Sequence, residues 1–273
     1  MKYSVLMSVY KNDDAEYLCR ALKSIYDEQT RKPDEIVVVF DGPLTEALYN
    51  VLNDFRCGKE DTVFYFPQET NRGLGEALRI GTAYCTGDYI FRMDSDDISH
   101  PQRFEKQIAY VESNPQIDVL GTDIAEFYTT PYETNLRVRS CPASHKDIVR
   151  MGKSRNPMNH VTVCMKKTAL EVCGGYETLL LLEDYFLWLK MIVAGCTLAN
   201  INEVLVYVRI GNGFHSKRGS KIRITGWKVL QKYMQEYGLI NRHEAFVNMV
   251  YIRVFTYCPG WIKKVIYDKI LRK

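Results

Sequence analysis

The chain has 273 residues, and 36 Lys and Arg against 33 Asp and Glu leave a formal charge of +3. That is long enough for a sizeable core, ordinary in apolar and charged content, and too weakly basic to suggest a nucleic-acid partner. The eight cysteines form no C-x-x-C pair, which argues against a zinc ribbon or thioredoxin-like site and suits reduced, cytosolic thiols.

In chain order, the first half alternates strand and helix. Ser4–Val9 reads as a buried strand, and Ala15, Leu18, Leu22 and Ile25 recur at helical spacing. Glu35–Phe40 is a second strand, broken by Asp41-Gly42-Pro43. Leu44, Leu48, Val51, Leu52 and Phe55 mark the next helix, Thr62–Phe66 a strand, and Leu74–Cys85 a helix. Asp88–Met93 is a strand that runs into an acidic cluster, and Pro101 opens a helix to about Ser113. This order predicts an α/β fold with a parallel sheet and helices on both faces.

The second half is less regular. Ile117–Tyr128 reads as extended, and Ser144 with Asp147 as a capping box before a short helix. Val161–Met165 reads as a strand, with a short helix stopped by Gly174-Gly175 after it. A helix then starts near Glu183-Asp184 and continues to about Ala194, Val204–Arg209 is a strand, and helices follow from about Lys221. No apolar run approaches the roughly 18–20 residues of a membrane-spanning helix, and the apolar Tyr3–Tyr10 run is too short for a signal peptide.

Ligands of such sheets bind beyond the carboxyl ends of the strands. Tyr10-Lys11-Asn12, Asp41-Gly42-Pro43 and Asp94-Ser95-Asp96 all fall there. Asp94, Asp96 and Asp97 repel one another unless a cation or hydrogen-bond donors offset them, and Asp94 and Asp96 point the same way on an extended strand end. Hard oxygens so placed suit Mg²⁺ or Mn²⁺, ions that commonly bring a phosphate. Neither a G-x-G-x-x-G fingerprint nor a P-loop is present.

Five ordered motifs carry a resemblance to the family 2 glycosyltransferases of GT-A fold. They are Ser4–Asn12, Val37–Gly42, Asn71-Arg72-Gly73-Leu74, Thr86–Asp97, and Gly174-Gly175-Tyr176 with Glu183-Asp184 and Leu187-Trp188-Leu189. The resemblance implies a mixed, mainly parallel sheet with flanking helices and added C-terminal helices. It implies a catalytic domain over 1–220, with a nucleotide half 1–113 and an acceptor half 114–220, and a helical segment 221–273. The implied activity is inverting, metal-dependent transfer of a sugar from a UDP-sugar. Ser8, Val9, Tyr10, Asp41, Asn71 and Gly73 would hold the nucleotide, with Asp41 accepting from uracil. Asp94 would face the ribose or donor sugar and share with Asp96 the Mn²⁺ or Mg²⁺; Asp97 would be structural. Asp184 would be the general base, with Glu183 as the alternative. His160 and Trp188 would lie on the acceptor or donor side.

Arg209, Lys217 and Arg218 resemble a late loop that closes over the diphosphate, although His215 is out of step with the family's histidine. The Arg92–Gln107 stretch is similar to bacterial O-antigen and capsule transferases, which implies galactose as donor sugar and a polyprenyl-diphosphate-linked saccharide as acceptor. Trp261, Ile262, Val265 and Ile266, interleaved with Lys263 and Lys264, read as a basic amphipathic segment for a membrane surface, hence a peripheral place at the inner face of the plasma membrane. A nucleotidyltransferase and a non-catalytic nucleotide-sugar-binding module are the competing readings.

Overall fold

The computed structural model describes residues 1–131, 136–179, 181–211 and 222–258. The apolar Tyr3–Val9 run forms β1, and helix α1 (Ala15–Ile25) follows, started by Asp14, whose side chain accepts from the Glu16 and Tyr17 amides. β2 (Glu35–Phe40), α2 (Glu46–Arg56), β3 (Val63–Pro67), α3 (Leu74–Tyr84) and β4 (Tyr89–Met93) continue the alternation. These four strands lie parallel in the order β3-β2-β1-β4. Val9 pairs with Phe40 and Met7 with Met93, so Tyr10, Asp41 and Asp94 emerge on one edge.

Beyond β4 the sheet becomes mixed. β5 (Ile98–Ser99) and α4 (Arg103–Ser113) precede β6 (Val119–Phe127), β7 (Arg137–Arg139) and α5 (His145–Gly152). β8 (Cys164–Lys166) pairs antiparallel with both β4 and β6, and α6 (Lys167–Val172) and α7 (Glu183–Val193) follow. β9 (Leu198–Arg209) lies parallel to β6, and the full order is β3-β2-β1-β4-β8-β6-β9-β5 with β7 on β6.

Two apolar cores cover the sheet. One joins Leu18, Leu22, Leu48, Leu52, Phe104 and Ile108 to one face; the other joins Leu78, Ile148, Leu187 and Trp188 to the other. The C-terminal helices α8 (Ile222–Glu236) and α9 (Arg242–Tyr257) add a third cluster, in which Trp227, Leu230, Met234 and Ile252 pack on Leu182, Tyr185 and Leu189. No helix among the described residues is long and apolar enough to cross a membrane.

The expected Val161–Met165 strand is shorter in the structure. His160–Thr162 is a 3₁₀ turn, because the Thr162 hydroxyl donates to the Asn159 carbonyl at 2.8 Å and the Asn159 amide group to the Thr122 carbonyl at 2.9 Å. β9 begins six residues earlier than its alternation suggested, since register shifts opposite Thr122–Ile124 break the period. Pro101 lies in the turn ahead of α4 rather than within it.

Arg103, at the start of α4, is wholly buried. It donates to the Arg92 carbonyl at 2.8 Å, the Val161 carbonyl at 3.0 Å and Gln107 Oε1 at 3.0 Å, fastening α4 to the end of β4 and to the 3₁₀ turn. Arg103→Ala would strand those acceptors and remove a buried positive charge that interacts with Asp97. It should lower the unfolding free energy by about 3 kcal/mol, read from urea denaturation; a loss below about 1 kcal/mol would contradict this role.

Candidate active site

The edge formed by the ends of β1, β2 and β4 is held together by short polar links. Asp13 accepts from the Tyr10 amide at 3.1 Å and from the Ser95 hydroxyl at 2.8 Å, which ties the turn after β1 to the acidic cluster after β4. Asp41 is nearly buried; its two carboxylate oxygens accept from the Arg72 and Gly73 amides at 2.7 and 3.0 Å. The Asn71 side chain donates to the Asp41 carbonyl at 3.2 Å. Gly42 has φ +88°, and a Cβ there would lie 2.8 Å from the Asn71 nitrogen, so glycine is required for this close approach. Tyr10 and Ser8 are half-buried on the same edge. The Val9 side chain is fully buried in the sheet core, because alternation turns it away from Ser8, so only its backbone faces this edge.

The carboxylate oxygens of Asp94, Asp96 and Asp97 come within 4.8 Å of one another. Beneath them, the buried Arg92 guanidinium pairs with Asp94. Burial opposes the Arg92 charge, but Asp94 holds it protonated and leaves its pKa raised. Asp97 is buried and accepts from the Arg209 amide at 2.9 Å. Burial, then the charges of Asp96 and Asp94, push its carboxyl well above the usual range. Asp96 reaches solvent within the concave edge, yet the surrounding protein, then Asp94 and Asp13, raise it to about 6. The three acids therefore differ: Asp97 fastens β9, Asp94 is shared with Arg92, and Asp96 faces outward. Hard oxygens of Asp94 and Asp96, on a cluster that still repels itself, fit a divalent cation.

Arg209 is fixed rather than loosely solvated. Its Nε donates to the Asp96 carbonyl at 3.2 Å, and its guanidinium lies 3.7 Å from the Tyr17 ring centre and 4.6 Å from that of Phe127. Arg218, with His215 and Lys217, lies outside the described residues, as does the basic segment from Trp261 onward.

The Glu183-Asp184 pair at the start of α7 is divided by geometry. Asp184 lines a cavity of about 1170 Å³ that also exposes Arg92, Asp94, Asp97 and His160. Its Oδ2 accepts from the Asn156 amide group at 2.6 Å and its Oδ1 from the Tyr185 amide at 2.7 Å. Glu183 is not part of that lining; a Cβ added to Gly75 would lie 3.3 Å from its Cβ, so it faces the start of α3. Burial, then the Asp184 charge, raises its pKa. Just before the pair, Leu181 has φ +65°, a strained conformation for leucine, and it too lines the cavity.

His160 also meets the cavity; its Nε2 lies 2.8 Å from the Tyr176 hydroxyl, and its ring packs on Tyr176 and Trp188. Burial, then Arg92, pushes its pKa well down, so the imidazole is neutral at pH 7. Trp188, expected at the ligand, is fully buried in the core and backs His160 instead. Two cavity residues were missed from sequence. Asn156 looked like an ordinary loop residue, though it sits four positions before His160. Arg155 gave no signal, since a lone arginine in a loop is most often surface.

A profile described as Glycosyl transferase family 2 matches residues 4–173. A Haemophilus influenzae protein named as an uncharacterized glycosyltransferase is 39% identical, covering 100% of both chains. An Escherichia coli protein named UDP-Gal:alpha-D-GlcNAc-diphosphoundecaprenol beta-1,3-galactosyltransferase is 34% identical, covering 100% of this chain and 97% of its own. The crystal structure of S. aureus TarS 1–349 in complex with UDP-GlcNAc superposes with a TM-score of 0.71 at 16% identity, covering 99% of this chain and 76% of that one. That likeness extends the GT-A architecture across nearly the whole chain. With its strand-end carboxylates and the acid pair of α7 in place, the chain belongs to glycosyl transferase family 2 and is a glycosyltransferase.

Proposed function

We propose that this glycosyltransferase moves galactose, with inversion, from UDP-galactose to a saccharide carried on a polyprenyl diphosphate, at the inner face of the plasma membrane. The observation that carries the reading is that Asp184 and Asp94 line one cavity from different elements. A base for the acceptor and the acidic corner that suits a nucleotide diphosphate thus face the same space. The donor and acceptor classes follow the E. coli relative, 34% identical over the whole chain.

In this reading Ser8, Tyr10, Asp41, Asn71 and Gly73 form the nucleotide edge. The turn that Asp41 caps presents backbone beside the base and ribose. Asp94 and Asp96 would hold Mn²⁺ or Mg²⁺, which when bound neutralises charge on the departing diphosphate. Asn156 orients Asp184 through Oδ2. Asp184 takes the proton of the acceptor hydroxyl as its oxygen attacks the anomeric carbon, and UDP leaves from the opposite face. Neutral His160 offers a hydrogen bond without adding charge. A nucleotidyltransferase would need a glycine-rich basic loop after β1, whereas residues 10–14 form a tight turn closed by Asp13.

Two sets of variants test the assignment. Asp184→Asn should lower transfer from UDP-galactose by about 10³-fold while UDP affinity in Mn²⁺ stays within about threefold. Glu183→Gln should cost less than about tenfold. If Glu183→Gln is the more damaging change, the base is misassigned.

EDTA should abolish turnover and Mn²⁺ should restore it. Asp96→Asn should raise the half-saturating Mn²⁺ concentration by at least about tenfold without lowering thermal stability, because it relieves like-charge repulsion. Full turnover in EDTA, or an unchanged Mn²⁺ requirement, would remove the metal from the account.

A further inference from the structure

The cavity that holds Asp184 extends well past the reacting groups. Its remaining lining includes Arg139, Arg150 and Arg155, and then Val247, Tyr251 and Phe255 of α9. Arg155 lies three residues past the end of α5 and directly precedes Asn156, the partner of Asp184. Burial raises the pKa of the Cys141 thiol and the Tyr251 hydroxyl; Arg139 and Arg155 oppose this at Cys141, and Arg155 at Tyr251, so both arginines lie near Cys141 and Arg155 also near α9. Arg150 pairs with Asp147 at 2.9 Å. Guanidinium groups in the wall beside Asp184 suit a diphosphate, whose oxygens their planar donors bind bidentately.

α9 supplies the second, independent observation. Asn248 anchors the helix by donating to the Lys153 carbonyl at 2.8 Å and Gln231 Oε1 at 2.9 Å, while Ala245, Ile252 and Phe255 are buried. The adjoining face carries Phe246, Val247, Val250, Tyr251 and Val254, which are 66, 49, 41, 41 and 59% exposed. At 100° per residue these five share one continuous stripe. Val247 and Tyr251 belong both to the stripe and to the cavity wall, so the apolar face runs into the cavity. The sequence beyond Cys258 continues in the same chemistry with Trp261, Ile262, Lys263 and Lys264.

We propose that Arg139, Arg150 and Arg155 bind the diphosphate of the lipid-linked acceptor and that the exposed stripe of α9 receives the start of its lipid chain at the membrane surface. This rests on the acceptor class proposed above. In this arrangement the lipid would meet α9, the diphosphate the arginines, and the first sugar Asn156 and Asp184, all of which share the cavity wall.

Cosedimentation with neutral phosphatidylcholine vesicles in EDTA tests it, comparing vesicles that carry a polyprenyl diphosphate with vesicles that carry phosphatidylglycerol at equal surface charge. The wild-type protein should prefer the diphosphate vesicles by at least about tenfold. Arg139→Gln with Arg155→Gln should erase that preference, and Val250→Ser with Val254→Ser should weaken binding to both surfaces by at least about fivefold. Equal wild-type binding to the two surfaces, binding to neither, or a preference that survives the arginine changes would overturn the proposal. The wild-type comparison decides the matter even where a variant fails to fold. UDP-galactose hydrolysis by the same preparation separates the two readings. Hydrolysis without a vesicle preference defeats only the acceptor site, and a preference without hydrolysis defeats only the donor assignment.

Discussion

Three carboxylates packed at the end of one strand are the constraint to which the site is built. Asp94, Asp96 and Asp97 repel one another, and the buried Arg92 guanidinium offsets part of that cost. Arg92 pairs with Asp94, and Arg103 bonds the Arg92 carbonyl while fixing α4 and the 3₁₀ turn that carries His160. The same charges recruit β9, since Asp97 accepts the Arg209 amide and Arg209 reaches back to the Asp96 carbonyl. Removing Arg92 would leave Asp94 without its partner and the buried Asp97 without an offsetting charge, and Asp97 in turn ties the end of β4 to β9.

The strand-end edge and the cavity around Asp184 are held in different ways. The strand-end edge is held by carboxylates that accept from backbone, as Asp41 does for the Asn71–Gly73 turn and Asp13 for the turn after β1. The cavity wall is held by side-chain amides, with Asn156 on Asp184 and Asn248 bridging α9 to α8 and Lys153. The third apolar cluster, of Tyr185 and Leu189 with Trp227 and Ile252, sets α9 against α7 and so closes the cavity on its far side.

Much of this was legible in the sequence where local chemistry decides structure. The β1–β4 alternation followed from apolar runs broken by Asp-Gly-Pro and Asn-Arg-Gly turns, and the observed elements agree to within a residue or two. Chain order also put Tyr10, Asp41 and Asp94 on one edge. The short strands β5 and β7 carry no periodicity over two or three residues, and the Thr162 turn depends on a partner forty residues away, so neither could be read locally. Side-chain direction was the other limit. Val9 and Trp188 sit inside motifs that face the site, yet both point into the core, and only the fold separates Asp184 from its neighbour Glu183. The arginine-lined end of the cavity brings together residues from β7, α5 and the loop before the 3₁₀ turn, which no spacing rule connects.

The central claim is a single displacement, with Asp184 on the acceptor side and the acidic strand end on the donor side. The anomeric configuration of the newly formed linkage tests it most directly. Proton NMR of product made from α-linked UDP-galactose should show a β-linked galactose, with the large H1–H2 coupling of trans-diaxial protons. An α-linked product, with its small coupling, would mean retention and would contradict a mechanism in which one base serves one in-line step.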